Sequence, residues 1–209
     1  MTTQEDRTRL MRRKLLDSAI DCVFEHGYAG ATAVTICQHA GVTCGALHHH
    51  FKNGKTDLME AVITELYDRM GSLYCDWAKL HPKQVIMEYL DGFFAPEEHK
   101  RQVVSVEIWL AATRDPSLKA LRNAVEQKRH NLWHIAAQSF QPDSIMWMPQ
   151  VLTLTRIIRT CLRGYAIERH LDTEDAHQPI EAWQTLRKLV ERELNEIYQG
   201  IEAKSAEHS

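Results

Sequence analysis

Residues 33–51, AVTICQHAGVTCGALHHHF, leave the chain little choice of local structure. Ala33 to His39 or Ala40 has the spacing of one short helix, and Thr32 ahead of it is an N-cap whose hydroxyl accepts an orphan backbone N–H. Gly41 stands where a helix end calls for left-handed backbone, which a residue without Cβ adopts at little cost. Val42 is apolar enough to pin the turn to a core, and Thr43 caps a second helix over Cys44 to His50. Nothing after Val34 continues a strand. The spacing predicts a helix-turn-helix, whose second helix enters the DNA major groove so that its first residues meet base edges. A buried helical hairpin with no DNA role carries the same local pattern.

The remainder of the chain is compatible with either use. With 44% apolar and 25% charged residues over 209, it reads as an ordinary soluble globular protein of one large or two modest domains. No run of about eighteen apolar residues marks a membrane span. The basic start, MTTQEDRTRLMRRK, is followed by no apolar segment of a secretory signal, so the expected location is cytoplasmic. Five cysteines without a C-x-x-C pair suit reduced thiols rather than a disulfide framework. The net charge of −3 does not advertise a nucleic-acid partner, and within the first sixty residues seven basic side chains meet seven acidic ones. Placement matters more than the sum. Arg7 to Lys14 cluster at the start, Lys52 and Lys55 follow the second short helix, and Asp17, Asp21 and Glu25 share a stripe that can face away from DNA.

Along the chain the pattern is helical throughout, and the expected class is all-α with about nine helices. Residues 1–6 read as a frayed arm. From Arg7, the residues Leu16, Ile20, Val23 and Phe24 recur at helical steps until Gly27. A long helix over 55–80 carries Leu58, Val62, Leu66, Met70, Leu73 and Trp77 on one stripe, with Pro82 as its stop. Further helices are expected over 85–94, 97–113, 118–140, from 144 or 149 to 171, and 179–201.

Glu25-His26-Gly27-Tyr28 ahead of the hairpin, Gly45-Ala46-Leu47 and His49-His50-Phe51 inside it, and residues 55–58 after it add a further signal. Together, across about residues 10–62, they resemble the N-terminal domain of the TetR family of one-component regulators. The resemblance implies a three-helix DNA-binding domain over 7–54 and a helical ligand-binding and dimerisation domain over 55–204. The expected DNA-contacting residues are Thr32, Thr43, Cys44, Gly45, Ala46, Leu47, His48, His49, Lys52 and Lys55. His48 stands where the family commonly has a tyrosine on the DNA backbone, and Lys55 matches its phosphate-binding lysine. Phe51 is expected in the core. The chain departs from the family where Thr35 replaces the acidic residue of a capping box, which predicts a weaker cap, and where the 52–54 link is one residue longer than usual.

No metal or other cofactor is expected. Consecutive imidazoles at His48–His50 point about 100° apart on a helix and cannot converge on one ion. Protonation of the five histidines of this region (His26, His39, His48, His49 and His50) near the ordinary histidine pKa of about 6.5 would strengthen DNA binding as pH falls. An apolar effector pocket is expected among Trp77, Tyr89, Phe93, Trp109, Trp133, Trp147 and Ile158, with Glu107 and His134 as polar specificity residues. An ordinary core role is the alternative for each aromatic. Leu154, Ile158 and Leu162 on one helix, with Trp183, Leu186, Val190, Leu194 and Ile197 on the next, are the expected dimer faces of a four-helix bundle. Closure of the monomer core is the competing use. Motifs of phosphate loops, nucleophile elbows and metalloproteases are missing from the sequence, so no enzyme is expected. The resulting expectation is a cytoplasmic repressor that binds a palindromic DNA operator as a homodimer and is released by a small, largely apolar ligand. A thiol sensor acting through Cys44 is the alternative.

Overall fold

The structure, a computed structural model, describes residues 3–77, 80–92, 96–141, 144–171 and 178–207; within these, the side chains of 70–77, 96–97, 129–130, 132–139, 178–180, 202 and 204–207 are not described. Nine α-helices and no strand occur among the described residues: α1 Gln4–Gly30, α2 Ala33–Ala40, α3 Cys44–His50, α4 Lys55–Trp77, α5 Pro82–Gly92, α6 Pro96–Arg114, α7 Lys119–Ser139, α8 Pro149–Leu171 and α9 Gln178–Glu207. Short 3₁₀ turns at Pro116–Leu118 and Ile145–Trp147 precede α7 and α8.

Helix boundaries differ from the sequence expectation where local polar groups take over. The expected frayed arm is helical from Gln4, because the Thr3 hydroxyl accepts the Asp6 N–H at 3.2 Å and the Asp6 carboxylate accepts the Thr3 N–H at 3.1 Å. That reciprocal capping box satisfies two donors of the first turn. Pro82 is the first residue of α5, a position where its fixed φ and missing N–H cost nothing. Gly27 breaks the regular path of α1 at φ +67°, ψ 172°, as a residue with a side chain could do only under strain.

The chain forms two compact units, residues 1–73 with 100–135 and residues 74–99 with 136–209. The core of the first joins Leu15, Ala19 and Val23 of α1, Ile36 and Leu47 of the helix-turn-helix, Leu58, Met59 and Ile63 of α4, Val104 and Ile108 of α6, and Leu121 of α7. The three-helix head therefore shares one hydrophobic core with α4 and parts of α6 and α7. In the second unit the buried residues among those described are Val85, Ile86, Met87 and Leu90 of α5, Val151, Ile158, Leu162 and Ala166 of α8, and Val190 and Leu194 of α9. A two-pronged ion pair from Arg187 to Asp91, at 2.9 and 3.2 Å, ties α9 to α5.

Candidate nucleic-acid interface

Each end of the helix-turn-helix is fixed by a named hydrogen bond. Thr32 Oγ1 accepts the Thr35 N–H at 3.1 Å, and the two threonine hydroxyls lie 2.7 Å apart. Thr35 thus gives the cap a hydroxyl partner in place of a carboxylate. Gly41 takes the left-handed conformation, φ 59° and ψ 41°, and its N–H donates to Gln38 O while the Val42 N–H donates to Cys37 O. Those bonds close the end of α2. Thr43 Oγ1 then accepts the Ala46 N–H at 3.2 Å and starts α3. Phe51 is buried beneath the Arg12 guanidinium, 4.5 Å from the ring centroid, which locks the end of α3 onto α1.

Burial decides which side of α3 faces outward. Leu47 is 0% exposed and points into the core. At about 100° per residue, positions two before and two after it lie on the opposite side. Those positions are Gly45 and His49, both exposed, with half-buried Ala46 and exposed His48 on the flanks. The His49 ring stands edge-on to His50 at 5.1 Å between centroids. His48 leans over the following link, close enough that a Cβ on Gly54 would lie 3.0 Å from its Cε1. Burial, then the His49 and Arg12 charges, hold His50 below the ordinary histidine pKa. That imidazole therefore does not supply the positive charge expected of it near neutral pH.

Three expected assignments are corrected here. Leu47 was placed with the DNA-contacting residues, but its complete burial makes it a core side chain. Lys55 was expected on phosphate; instead its ammonium donates to Tyr28 O at 2.5 Å and sits 3.9 Å above the Tyr28 ring, where burial lowers its pKa. Glu107 was expected to select the effector, yet its carboxylate accepts the Tyr28 N–H at 3.2 Å. Lys55 and Glu107 together satisfy the backbone of Tyr28 just after the Gly27 break, a part of the chain where α1 has stopped bonding to itself.

The basic groups sort by partner. Arg13 pairs with Asp17 and Glu65, Arg9 with Asp6, and Lys100 of α6 with Asp21. Arg7, Arg12, Lys14 and Lys52 are exposed and have no carboxylate partner among the described residues. The acidic stripe of α1 is in this way partly neutralised, while exposed cations remain along α1 and after α3. Val34, exposed at the second position of α2, is a surface residue of this domain that sequence reasoning passed over; an apolar side chain in a short helix gives no sign of which way it faces.

The remaining expected positions are dispersed. Tyr89 is half-buried on α5, Trp109 packs against the core of the first unit, and the Trp147 indole N–H donates to Gln141 O at 3.0 Å. Phe93 lies outside the described residues, as do the side chains of Trp77, Trp133 and His134. Of the expected dimer residues, Ile158, Leu162, Val190 and Leu194 are buried within the chain itself and have no surface to offer a partner. Leu154, Trp183, Leu186 and Ile197 are half-buried. Among the described residues of α8 and α9, the large apolar side chains that reach the surface are Ile157 (52% exposed), Ile167, Leu171 (73%) and Leu189 (46%).

Comparison with known proteins agrees with this geometry. The family described as bacterial regulatory proteins, tetR family, matches residues 15–62. The HTH-type transcriptional regulator CymR of Pseudomonas putida is 33% identical over 133 residues, 61% of this chain and 64% of that protein. The HTH-type transcriptional repressor AcnR of Corynebacterium diphtheriae is 31% identical over 111 residues, 53% of this chain and 54% of that protein. The chain thus spans less than two thirds of the length of these curated relatives. The crystal structure of the multidrug binding protein EbrR complexed with ethidium shares the fold, with a TM-score of 0.55 at 19% identity, over 88% of this chain and 97% of that one. A helix-turn-helix region matched in sequence over residues 15–62 and a fold matched in structure make the chain similar to bacterial regulatory proteins of the tetR family.

Proposed function

We propose that the protein is a cytoplasmic transcriptional repressor that binds a palindromic DNA operator as a homodimer and releases it on binding a small, largely apolar effector. Residues 7–54 are the DNA-binding part and 55–204 the ligand-binding and dimerisation part. The observation that carries this reading is the outward face of α3. Gly45 and Ala46 allow a groove wall to come close, His49 reaches past them, and Arg7, Arg12, Lys14 and Lys52 supply cations for phosphate. The repressor sign is supported by the similar AcnR, and an apolar effector by the fold shared with EbrR, whose complex holds ethidium.

A route for release lies within the first unit. Lys100 and Glu107 of α6 hold α1 at Asp21 and at the Tyr28 N–H. An effector that favours a different position of α6 shifts the head by as much as its affinities for the two arrangements differ. The proposed two-fold pairing is supported by α8, where exposed Ile157, Gly164 and Leu171 recur at seven-residue steps with Cys161 between them, the spacing of a helix seam.

Salt dependence tests the DNA contact. Affinity for duplex DNA is expected to fall linearly in log–log form with salt, and Arg12→Ala and Lys52→Ala are each expected to reduce the slope by about one. Unchanged slopes in both variants would place these cations away from phosphate and overturn the assigned DNA face.

A further inference from the structure

Asp21, in the acidic stripe of α1, and Tyr28, just past the Gly27 break, stand seven residues apart, and so do Lys100 and Glu107 of α6. Lys100 donates to the Asp21 carboxylate, and Glu107 Oε2 accepts the Tyr28 N–H at 3.2 Å. Each contact spans the same 79 positions of the chain. Seven residues are about two helical turns, so each pair shares one face of its helix. Residues 100–107 therefore run parallel to this part of α1 in a fixed register. Between the two contacts Val104 is completely buried, and the Lys100 ammonium lies 5.5 Å from the Phe24 ring centroid.

The ion pair alone would not fix that register. Glu25 stands one turn beyond Asp21 and offers Lys100 a second carboxylate on the same stripe. The Tyr28 N–H is a more exacting partner, because the Gly27 break at φ +67° takes it out of the regular helix. A slip by one turn would carry Glu107 away and leave that part-buried donor unsatisfied, which costs more than an exchanged surface ion pair. Gly27 serves the contact twice, since a Cβ there would lie 3.3 Å from Glu107 Oε2 and crowd it. Both ends of the seam also reach the helix-turn-helix. The second Asp21 oxygen lies 4.0 Å from His39 Nε2 in the last turn of α2. Beyond Tyr28, the Ala31 N–H donates to Gly27 O at 3.1 Å and the Thr32 N–H to Gly30 O at 2.8 Å, so the lead runs directly into the Thr32 cap.

We propose that Lys100 and Glu107 are positioning residues for DNA recognition: they hold α6 in one register along α1 and thereby set where the chain enters α2. Lys55, the first residue of α4, takes the Tyr28 carbonyl, so α1, α4 and α6 are joined at one residue just ahead of the helix-turn-helix. The effect on DNA rests on the DNA-binding reading above; the ordering of the lead into α2 does not.

The test compares amide hydrogen exchange, read by mass spectrometry, in full-length wild-type protein, Glu107→Leu, Glu107→Gln and Val104→Ala. Amides of residues 28–40 are expected to exchange at least tenfold faster in Glu107→Leu. In Glu107→Gln, whose amide oxygen still accepts the Tyr28 N–H, they are expected to stay within threefold of wild type. Lys100→Met, at the more exposed end of the seam, carries the same expected direction and serves if Glu107→Leu does not fold. Affinity is then measured for the duplex that wild-type protein enriches from a random pool, at equal concentrations of folded protein. It is expected to drop at least tenfold in Glu107→Leu and to change less than twofold in Val104→Ala, which lowers the urea midpoint without touching either contact. Wild-type exchange over 28–40 in both Glu107→Leu and Lys100→Met overturns the joint, and so does a Glu107→Gln variant as loose as Glu107→Leu. Faster exchange with unchanged DNA affinity, or an equal loss of affinity in Val104→Ala, overturns the positioning role. Wild-type protein that enriches no duplex, with exchange altered as expected, contradicts the DNA-binding reading and leaves the joint standing.

Discussion

Leu47→Ala is expected to destabilise the first compact unit by about 2–5 kcal/mol, the range for emptying a fully buried leucine site. His49→Ala, two residues away, is expected to leave the unfolding midpoint in place and to lower DNA affinity. The contrast follows from where the two side chains point. Leu47 sits at 0% exposure in the core of the first unit, so its truncation leaves a cavity inside that core. His49 touches the ring of His50 and otherwise faces outward. A DNA-binding domain typically has only about 5–15 kcal/mol to lose, so the Leu47 variant binds DNA poorly because less of it is folded. Urea titration followed by helicity separates the two, since a stability change moves the midpoint at constant slope. Equal midpoints for both variants would mean that Leu47 is not core and that the outward face of α3 has been assigned wrongly.

If the proposed dimer pairs through α8, Ile157→Glu is expected to leave the protein monomeric and to weaken DNA binding by about 100-fold or more, equivalent to about 2.7 kcal/mol. Ile157 is half exposed in the single chain, on the seven-residue spacing it shares with Gly164 and Leu171. A carboxylate there costs the monomer little but must be desolvated without a partner if two copies of α8 pack together. One short recognition helix reads few base pairs, and so a lone head loses most of the specificity that two heads share. The adjacent Ile158→Ala supplies the control. That side chain is buried within the chain, so its truncation is expected to lower stability and leave the assembly dimeric. Sedimentation velocity distinguishes the outcomes, and a dimeric Ile157→Glu variant would move the interface elsewhere.

Much of the head was legible in the sequence because its signals are local. Thr32, Gly41 and Thr43 each act on backbone within four residues, and the spans of α2 and α3 follow from them. The same logic reached Phe51. What the sequence could not show is partnership at long range. Lys55 reads as a phosphate ligand until Tyr28, 27 residues earlier, brings a carbonyl and a ring to it. Glu107 reads as a buried charge awaiting an effector until the Gly27 break exposes the Tyr28 N–H, which lies 79 positions away along the chain.

On α8 and α9 the expected faces divide between core and surface for a related reason. Their apolar residues are abundant enough to form both a buried stripe and an exposed one, and periodicity alone does not say which of the two the chain keeps for itself. Ile157 and Ile158 differ by one position and take opposite roles.

Selection of retained sequences from a random duplex pool at low salt tests the central claim most directly. The expected result is an enriched motif with two-fold symmetry, its half-sites separated centre to centre by about one helical turn of DNA or a multiple of it. Folded, reduced protein that enriches no sequence, or enriches one without two-fold symmetry, would contradict it.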